Sequence, residues 1–190
     1  MLRLTGGEFR GRMIHCPPHL RTRPTQARLR QALFNSLQTL VVDSRVLDLF
    51  SGSGTLGFEA LSRGAAQVTF VELDRTAIKL AEKNALELKV LERVQLVNES
   101  VERSIHRISM PFDLVLADPP YAEGWEEKLL KELPWAELLA RGGRFCLEWG
   151  KLKSQNFREG ELPERFPFLV KVREKTYGDS VLTTYERTDE

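Results

Sequence analysis

From Arg45 onward, apolar positions come in two alternating rhythms: short, nearly continuous runs, and longer stretches in which they recur every three or four residues. The short runs, bounded by turn residues, predict buried strands at 45–49, 67–72, 93–98 and 112–117. The periodic stretches between them predict helices at 56–63, 74–88 and 100–107. In the longest of these, Ala77, Ile78, Leu80, Ala81, Ala85 and Leu88 make one apolar stripe, and Asp74 stands where it can cap the first turn. Repeated strand–helix–strand units imply right-handed crossovers, a mainly parallel sheet with helices on both faces, and a site built from loops at the carboxyl ends of the strands.

Both ends depart from this alternation. Residues 123–140 read as helical with a break at Pro134, Gly142-Gly143 turns into a strand at 144–149, and strands at 166–175 and 180–187 are joined by the hairpin turn Tyr177-Gly178-Asp179-Ser180. The tail from Arg187 should fray. At the other end, residues 2–5 and 12–15 read as short strands around the glycine-rich turn 6–11, and Thr25 can cap a helix at 26–40. The chain is thus expected to be a single domain, 1–190, made of an N-terminal hairpin arm (1–24), a leading helix (25–40) and a body (45–190).

With 190 residues and 42% hydrophobic content, the chain can form one sizeable α/β core but not two full domains. The net charge of +1 hides an asymmetry: residues 1–30 carry seven arginines against the single acid Glu8, a sum of +6, which leaves −5 for the rest. This predicts a basic arm for a polyanion on a neutral-to-acidic body. Arg10, Arg12, Arg23, Arg28 and Arg30 are the candidate phosphate contacts, because guanidinium forks match phosphate oxygens and cations near a helix N-terminus do nothing for the helix itself. An ordinary solvated hairpin and helix face is the competing reading. Cys16 and Cys146 lack metal or disulfide spacing, and His15, His19 and His106 are scattered, so no metal is expected. Without a signal peptide or a run of eighteen apolar residues, the chain is expected to be cytoplasmic, off the membrane and monomeric.

Candidate chemistry concentrates at two corners. Val46-Leu47-Asp48-Leu49-Phe50 runs into Ser51-Gly52-Ser53-Gly54, with Gly57 in the following helix, and Glu72 closes the next strand twenty residues beyond Gly52, the usual distance for a carboxylate that holds ribose hydroxyls. The extra carboxylate of Asp48 would repel a pyrophosphate and suits an ammonium group, which favours S-adenosylmethionine (SAM) over a dinucleotide or a ligand-free turn. Asp48, Phe50, the 51–54 loop, Glu72 and Leu73 are therefore the candidate cofactor residues, with Glu99 or Ser100 beside the adenine. At the second corner, the prolines of Asp118-Pro119-Pro120-Tyr121 fix the backbone and remove two donors, leaving an acceptor-only cluster suited to an amino group, with Tyr121 able to stack on a base. Accepting the amine hydrogens at Asp118 and at the Pro119 carbonyl favours the tetrahedral nitrogen of methyl transfer.

Taken together, Gly6-Gly-Glu-Phe-Arg-Gly-Arg12, Arg23-Pro-Thr25 with Arg28-Leu-Arg-Gln-Ala-Leu-Phe-Asn35, Asp48-Leu-Phe-Ser-Gly-Ser-Gly54, Asp118-Pro-Pro-Tyr121 and Tyr177-Gly-Asp-Ser180 resemble the bacterial RsmD-type 16S ribosomal RNA guanine-N2 methyltransferases. The resemblance spans nearly the whole chain. It implies a Rossmann-like fold with a seven-stranded, mostly parallel sheet, SAM as methyl donor, and N2 of one guanine in 16S rRNA as acceptor. Because so small a body has little surface for reading sequence, a partly assembled small subunit is the expected form of the substrate. The chain departs from the family at Asn98-Glu99-Ser100, where an aspartate often follows the third strand. An adenine-N6 methyltransferase acting on DNA or RNA, and a non-catalytic RNA-binding assembly factor, are the alternatives.

Overall fold

A computed structural model of the chain describes residues 1–17, 24–108, 111–121, 123–150 and 162–190. The alternating rhythm becomes β3 (Arg45–Leu49), α2 (Thr55–Ser62), β4 (Gln67–Val71), α3 (Arg75–Leu88), β5 (Val94–Val97), α4 (Val101–Ile105) and β6 (Phe112–Ala117). After α5 (Trp125–Glu132) and α6 (Trp135–Leu138), β7 (Leu139–Gly150) returns parallel to β6; β8 (Arg165–Phe166), β9 (Leu169–Tyr177) and β10 (Ser180–Arg187) close the sheet antiparallel. The order is β5-β4-β3-β6-β7-β10-β9-β8. The first five strands share one direction, so their carboxyl ends form a single rim. Alternate residues supply two cores. Val46, Leu114, Leu116 and Cys146 face the side of α1–α3, while Leu47, Leu49, Val115 and Leu147 face α4–α6, where α1 is the leading helix Pro24–Leu37.

Among the described residues the sheet has eight strands rather than seven. The expected strand 166–175 is split: Pro167 has no N–H to pair, and Phe168 takes a left-handed backbone with φ 65°, so Arg165–Phe166 folds back on Leu169–Val170. The leading helix begins at Pro24 rather than beyond Thr25, because proline is preset for the first helical position. It stops at Leu37, short of Leu40, where Gln38 turns left-handed with φ 43°. Arg23 and His19 lie outside the described residues, as does the rest of 18–23. No helix among the described residues is long and apolar enough to cross a membrane.

The N-terminal hairpin is packed against α2. Its strands, β1 (Leu2–Arg3) and β2 (Met13–Ile14), pair over only two residues each, because the turn between them commits its polar groups to α2. Glu59, 0% exposed in the middle of α2, accepts from the Thr5 amide at 2.9 Å, the Thr5 hydroxyl at 2.7 Å, Arg63 Nε at 2.8 Å and Arg30 Nε at 3.3 Å. Arg30 Nη2 donates onward to the Arg3 carbonyl at 2.8 Å. The next amides follow suit: Glu8 donates to the Ser62 carbonyl at 2.6 Å and Phe9 to Ser62 Oγ at 2.8 Å. Gly7, at φ +74°, comes so close that a Cβ there would lie 1.7 Å from the Ser62 carbonyl oxygen. One buried carboxylate thus joins the hairpin, α1 and α2, and cation and carboxylate satisfy each other out of water.

Glu59→Ala would strand the buried Arg30 guanidinium. Removal of one partner from a buried pair is expected to cost about 3–5 kcal/mol, read as a lower urea midpoint at unchanged slope. A loss below about 1 kcal/mol would refute the role given to Glu59.

Candidate active site

The glycine corner is held open by carboxylates from the neighbouring strands. Phe50 takes a left-handed backbone, φ 56°, unusual for an aromatic residue and confined to the loop that leaves β3. Gly52 and Gly54 follow at φ 55° and 87°, and nothing lies within 4 Å of where a Cβ on Gly52 would stand. The Gly52 amide donates to Glu72 Oε2 at 2.7 Å, and the Asp74 amide donates to Glu72 Oε1 at 2.7 Å. Gly57 serves helix packing instead. A Cβ there would meet Phe70 at 2.2 Å, so this glycine lets α2 lie against β4 and bring its own amide to Asp48 Oδ2 at 2.8 Å. Two further side chains complete the frame. Asn84 donates to the Ser53 and His15 carbonyls, and Asn98 donates to the Glu72 and Leu73 carbonyls. Asn84 was readable as a polar residue on the apolar stripe of α3, in step with Ala77 and Ala81.

Two hollows flank this loop and share Phe50. The larger, about 760 Å³, is lined by Val71, Glu72, Leu73, Glu99, Ser100, Pro120 and Trp125. Phe50 meets Trp125 edge to face at 4.7 Å on one wall, and the strongly exposed Leu73 forms another. Glu99 Oε1 pairs with Arg107 at 2.6 Å, while its Oε2 is buried with no partner; Ser100 occupies the N-cap position of α4 without making a capping bond. Both therefore keep acceptor capacity for this hollow, and the geometry favours neither over the other.

The smaller hollow, about 180 Å³, is lined by Asp48, Ser51, Ser53, Asp118 and Glu148, with Leu2, Gln26, Leu29 and Arg30 across from them. The hydroxyls of Ser51 and Ser53 are buried without partners. Asp48 is 1% exposed, and burial pushes its carboxyl up to about 7, against the pull of the Gly57 amide and aided by repulsion from Glu72. A group of this kind is complementary to a cation, which would restore its charge. Crowding by protein, then the Glu148 and Asp48 charges, holds the Asp118 carboxyl well above the usual range, although Asp118 opens to the cleft on one side. Glu148, 7% exposed, is raised by burial too. The Tyr121 hydroxyl donates to Glu148 Oε1 at 3.0 Å and lies 3.3 Å from Ser180 Oγ, so the ring is tethered at its far end. Pro119 is buried and Pro120 exposed at the rim. Glu148 has no signature in the sequence, since a lone acid near the end of an apolar strand carries no spacing signal.

The expected arginines separate. Arg10, Arg12 and Arg28 are exposed, and Arg12 also donates to the Glu87 carbonyl at 3.0 Å. Arg30 is turned inward: 4% exposed and committed to Glu59, it forms a wall of the smaller hollow instead of a surface contact for phosphate. Arg23 lies outside the described residues. Burial pushes the Cys146 thiol up to about 12, so it is no nucleophile.

A family model described as "Conserved hypothetical protein 95" matches residues 2–186. "Ribosomal RNA small subunit methyltransferase D" of Escherichia coli strain K12 is 39% identical over 137 residues, covering 70% of this chain and 69% of that protein. YlbH of Bacillus subtilis is 32% identical over 189 residues, covering 98% and 99%. A solved structure of YhhF from Escherichia coli superposes with a TM-score of 0.86 at 33% identity, covering 100% of this chain and 99% of that one.

The Asp48 environment predicts a pH-dependent stability. Its folded carboxyl keeps a proton to about pH 7, whereas the unfolded one loses it near pH 4, so the folded state loses stability as pH rises through that window and the deficit is constant above it. Asp48→Asn, which never ionises, should gain on the parent between pH 4 and pH 7, reaching at most about 4 kcal/mol. Urea unfolding of both proteins from pH 4 to pH 8 measures the difference; a gap independent of pH would overturn the assignment.

Proposed function

The chain belongs to the family that includes the small-subunit ribosomal RNA methyltransferases D, and from this we propose that it transfers the methyl group of SAM to the exocyclic N2 of one guanine in 16S rRNA. The observation that carries the reading is the meeting of the glycine corner and the Asp118-Pro119-Pro120-Tyr121 corner across one cleft, with Asp48 and Asp118 lining the same hollow. SAM supplies an electrophilic methyl on a sulfonium that is its own leaving group. The larger hollow takes the adenosine: Glu72 holds the ribose hydroxyls, Phe50, Leu73 and Trp125 enclose the base, and Glu99 or Ser100 accepts from its amine. Asp48 holds the ammonium of the methionine moiety, and the Ser51 and Ser53 hydroxyls, orphaned and buried, gain partners there.

Asp118 and the Pro119 carbonyl accept the two hydrogens of the guanine amine. The lone pair of that nitrogen is delocalised into the ring, and acceptors that strengthen as the nitrogen becomes tetrahedral lower the barrier without tightening ground-state binding. Tyr121, held by Glu148 and Ser180, presents a fixed ring on which a flipped base can stack. Guanine rather than adenine rests on the overall likeness to the RsmD-type guanine-N2 methyltransferases.

The RNA backbone lies on the exposed arginines of the hairpin and α1, with Arg10, Arg12 and Arg28 as contacts; Arg30 is excluded by its burial. So small a body reads shape more than sequence. The preferred substrate is accordingly a partly assembled small subunit, with the protein acting as a monomer in the cytoplasm.

Asp118→Ala should lower the single-turnover rate about a hundredfold or more while SAM affinity, measured by calorimetry, stays within about threefold. Transfer of labelled methyl to rRNA followed by nucleoside analysis is the direct test: N2-methylguanosine is the expected product, and N6-methyladenosine or no product would reject the reading.

Three arginine contacts on single-stranded RNA predict a log–log salt slope near about −2, flattened by about 0.7 for each of Arg10→Ala, Arg12→Ala and Arg28→Ala. An unchanged slope in all of these variants would remove the basic surface from the RNA interface.

A further inference from the structure

Glu148 has no part in the methyl transfer beyond its bond to Tyr121, yet its placement is specific. Ala117 of β6 pairs with Leu147 of β7, so Asp118 and Glu148 stand at the next level of adjacent strands. Both line the smaller hollow. Tyr121 donates to Glu148 Oε1, and Ser180, whose Oγ lies 3.3 Å from the Tyr121 hydroxyl, also favours the charged form of this carboxylate. These fix its orientation while taking only part of the acceptor capacity of a carboxylate, which offers about four lone-pair directions. The Arg30 guanidinium draws on Glu148 electrostatically but has its hydrogen bonds on Glu59 and the Arg3 carbonyl. The hollow therefore contains two neighbouring acidic acceptors, one of which needs a donor from the substrate.

Base chemistry says which substrate supplies it. On guanine the N2 amine is flanked by N1–H, so the edge offers donors side by side. On adenine the exocyclic amine is flanked by the bare lone pair of N1, which a carboxylate repels. Resting on the reading that guanine N2 is the acceptor, we propose that Glu148 is the specificity-determining residue of the target pocket, accepting N1–H of guanine while Asp118 accepts from the N2 amine. A buried site built to receive a substrate N–H rejects an analogue that lacks it far more strongly than a hydrophobic pocket rejects a change of size, because its own polar group is left unpaired. The same pair excludes adenine without any contact to the rest of the ring.

The decisive probe is 2-aminopurine, which keeps the methyl-accepting 2-amino group and lacks N1–H. RNA carrying guanosine, or 2-aminopurine riboside, at the position the wild-type protein methylates is compared by kcat/KM. Wild type should prefer guanosine by at least about a hundredfold. Glu148→Gln keeps the shape and the acceptor for Tyr121, and turns an amide N–H toward N1 of 2-aminopurine; its preference should fall to within about tenfold, with SAM affinity unchanged. Wild type that methylates both RNAs equally overturns the proposal without recourse to any variant. So does a Glu148→Gln protein that slows on both to the same extent, since that is what a merely structural role would do. If wild type places no methyl on guanine N2, the parent reading of the function fails, and the role of Glu148 fails with it.

Discussion

The buried Glu59 carboxylate is the interaction on which the site's far wall depends. Without it the hairpin and α1 would lose the polar link that joins both of them to α2, and the strands of the hairpin pair over only two residues each. With it, Leu2, Gln26, Leu29 and Arg30 are set opposite the ends of β3, β6 and β7, and the rim of the sheet becomes one wall of a hollow. The desolvation of Arg30 and Glu59 is a real cost; burial lowers the arginine's pKa against the pull of its partner. What results is a fixed geometry for a segment too short to build its own core.

The same double use of carboxylates runs through the glycine corner. Glu72, which faces the larger hollow, also receives the Gly52 amide, and Asp48, which faces the smaller one, also receives the Gly57 amide. Each carboxylate thus shapes the loop and keeps capacity for a ligand. Asn84 ties the loop at Ser53 to the hairpin at His15, so the corner and the hairpin share one polar frame. A loop with left-handed residues at 50, 52 and 54 would otherwise sample many conformations, and ordering it would weaken ligand affinity.

Legibility in the sequence followed the physical range of each signal. Period and punctuation are local, so β3 and β6 fall at 45–49 and 112–117 as the apolar runs indicate, and Asp74 caps α3. Glycine spacing and the double proline are local too, and they marked both corners of the cleft. What the sequence could not express were pairings across long separations. Glu59 looks like an ordinary helix residue until Thr5 and Arg30 are brought to it, and Glu148 becomes a site residue only because β7 runs beside β6 and β10 brings in Ser180. The arginine count misled at Arg30 for the same reason: charge in a sequence has no inside or outside.

Asp48, Asp118 and Glu148 make a hollow that is electrostatically incomplete by itself. Burial raises the proton affinity of Asp48 and Glu148, crowding and the charges of the other two raise that of Asp118, and the nearest guanidinium has its hydrogen bonds elsewhere. In a permanent core such a cluster would be selected against, since hydrophobic residues of equal volume would be more stable. It persists where a visitor completes it. A ligand with a cation for Asp48 and a base edge with adjacent donors for the other two would satisfy each acceptor, and neither could do so alone.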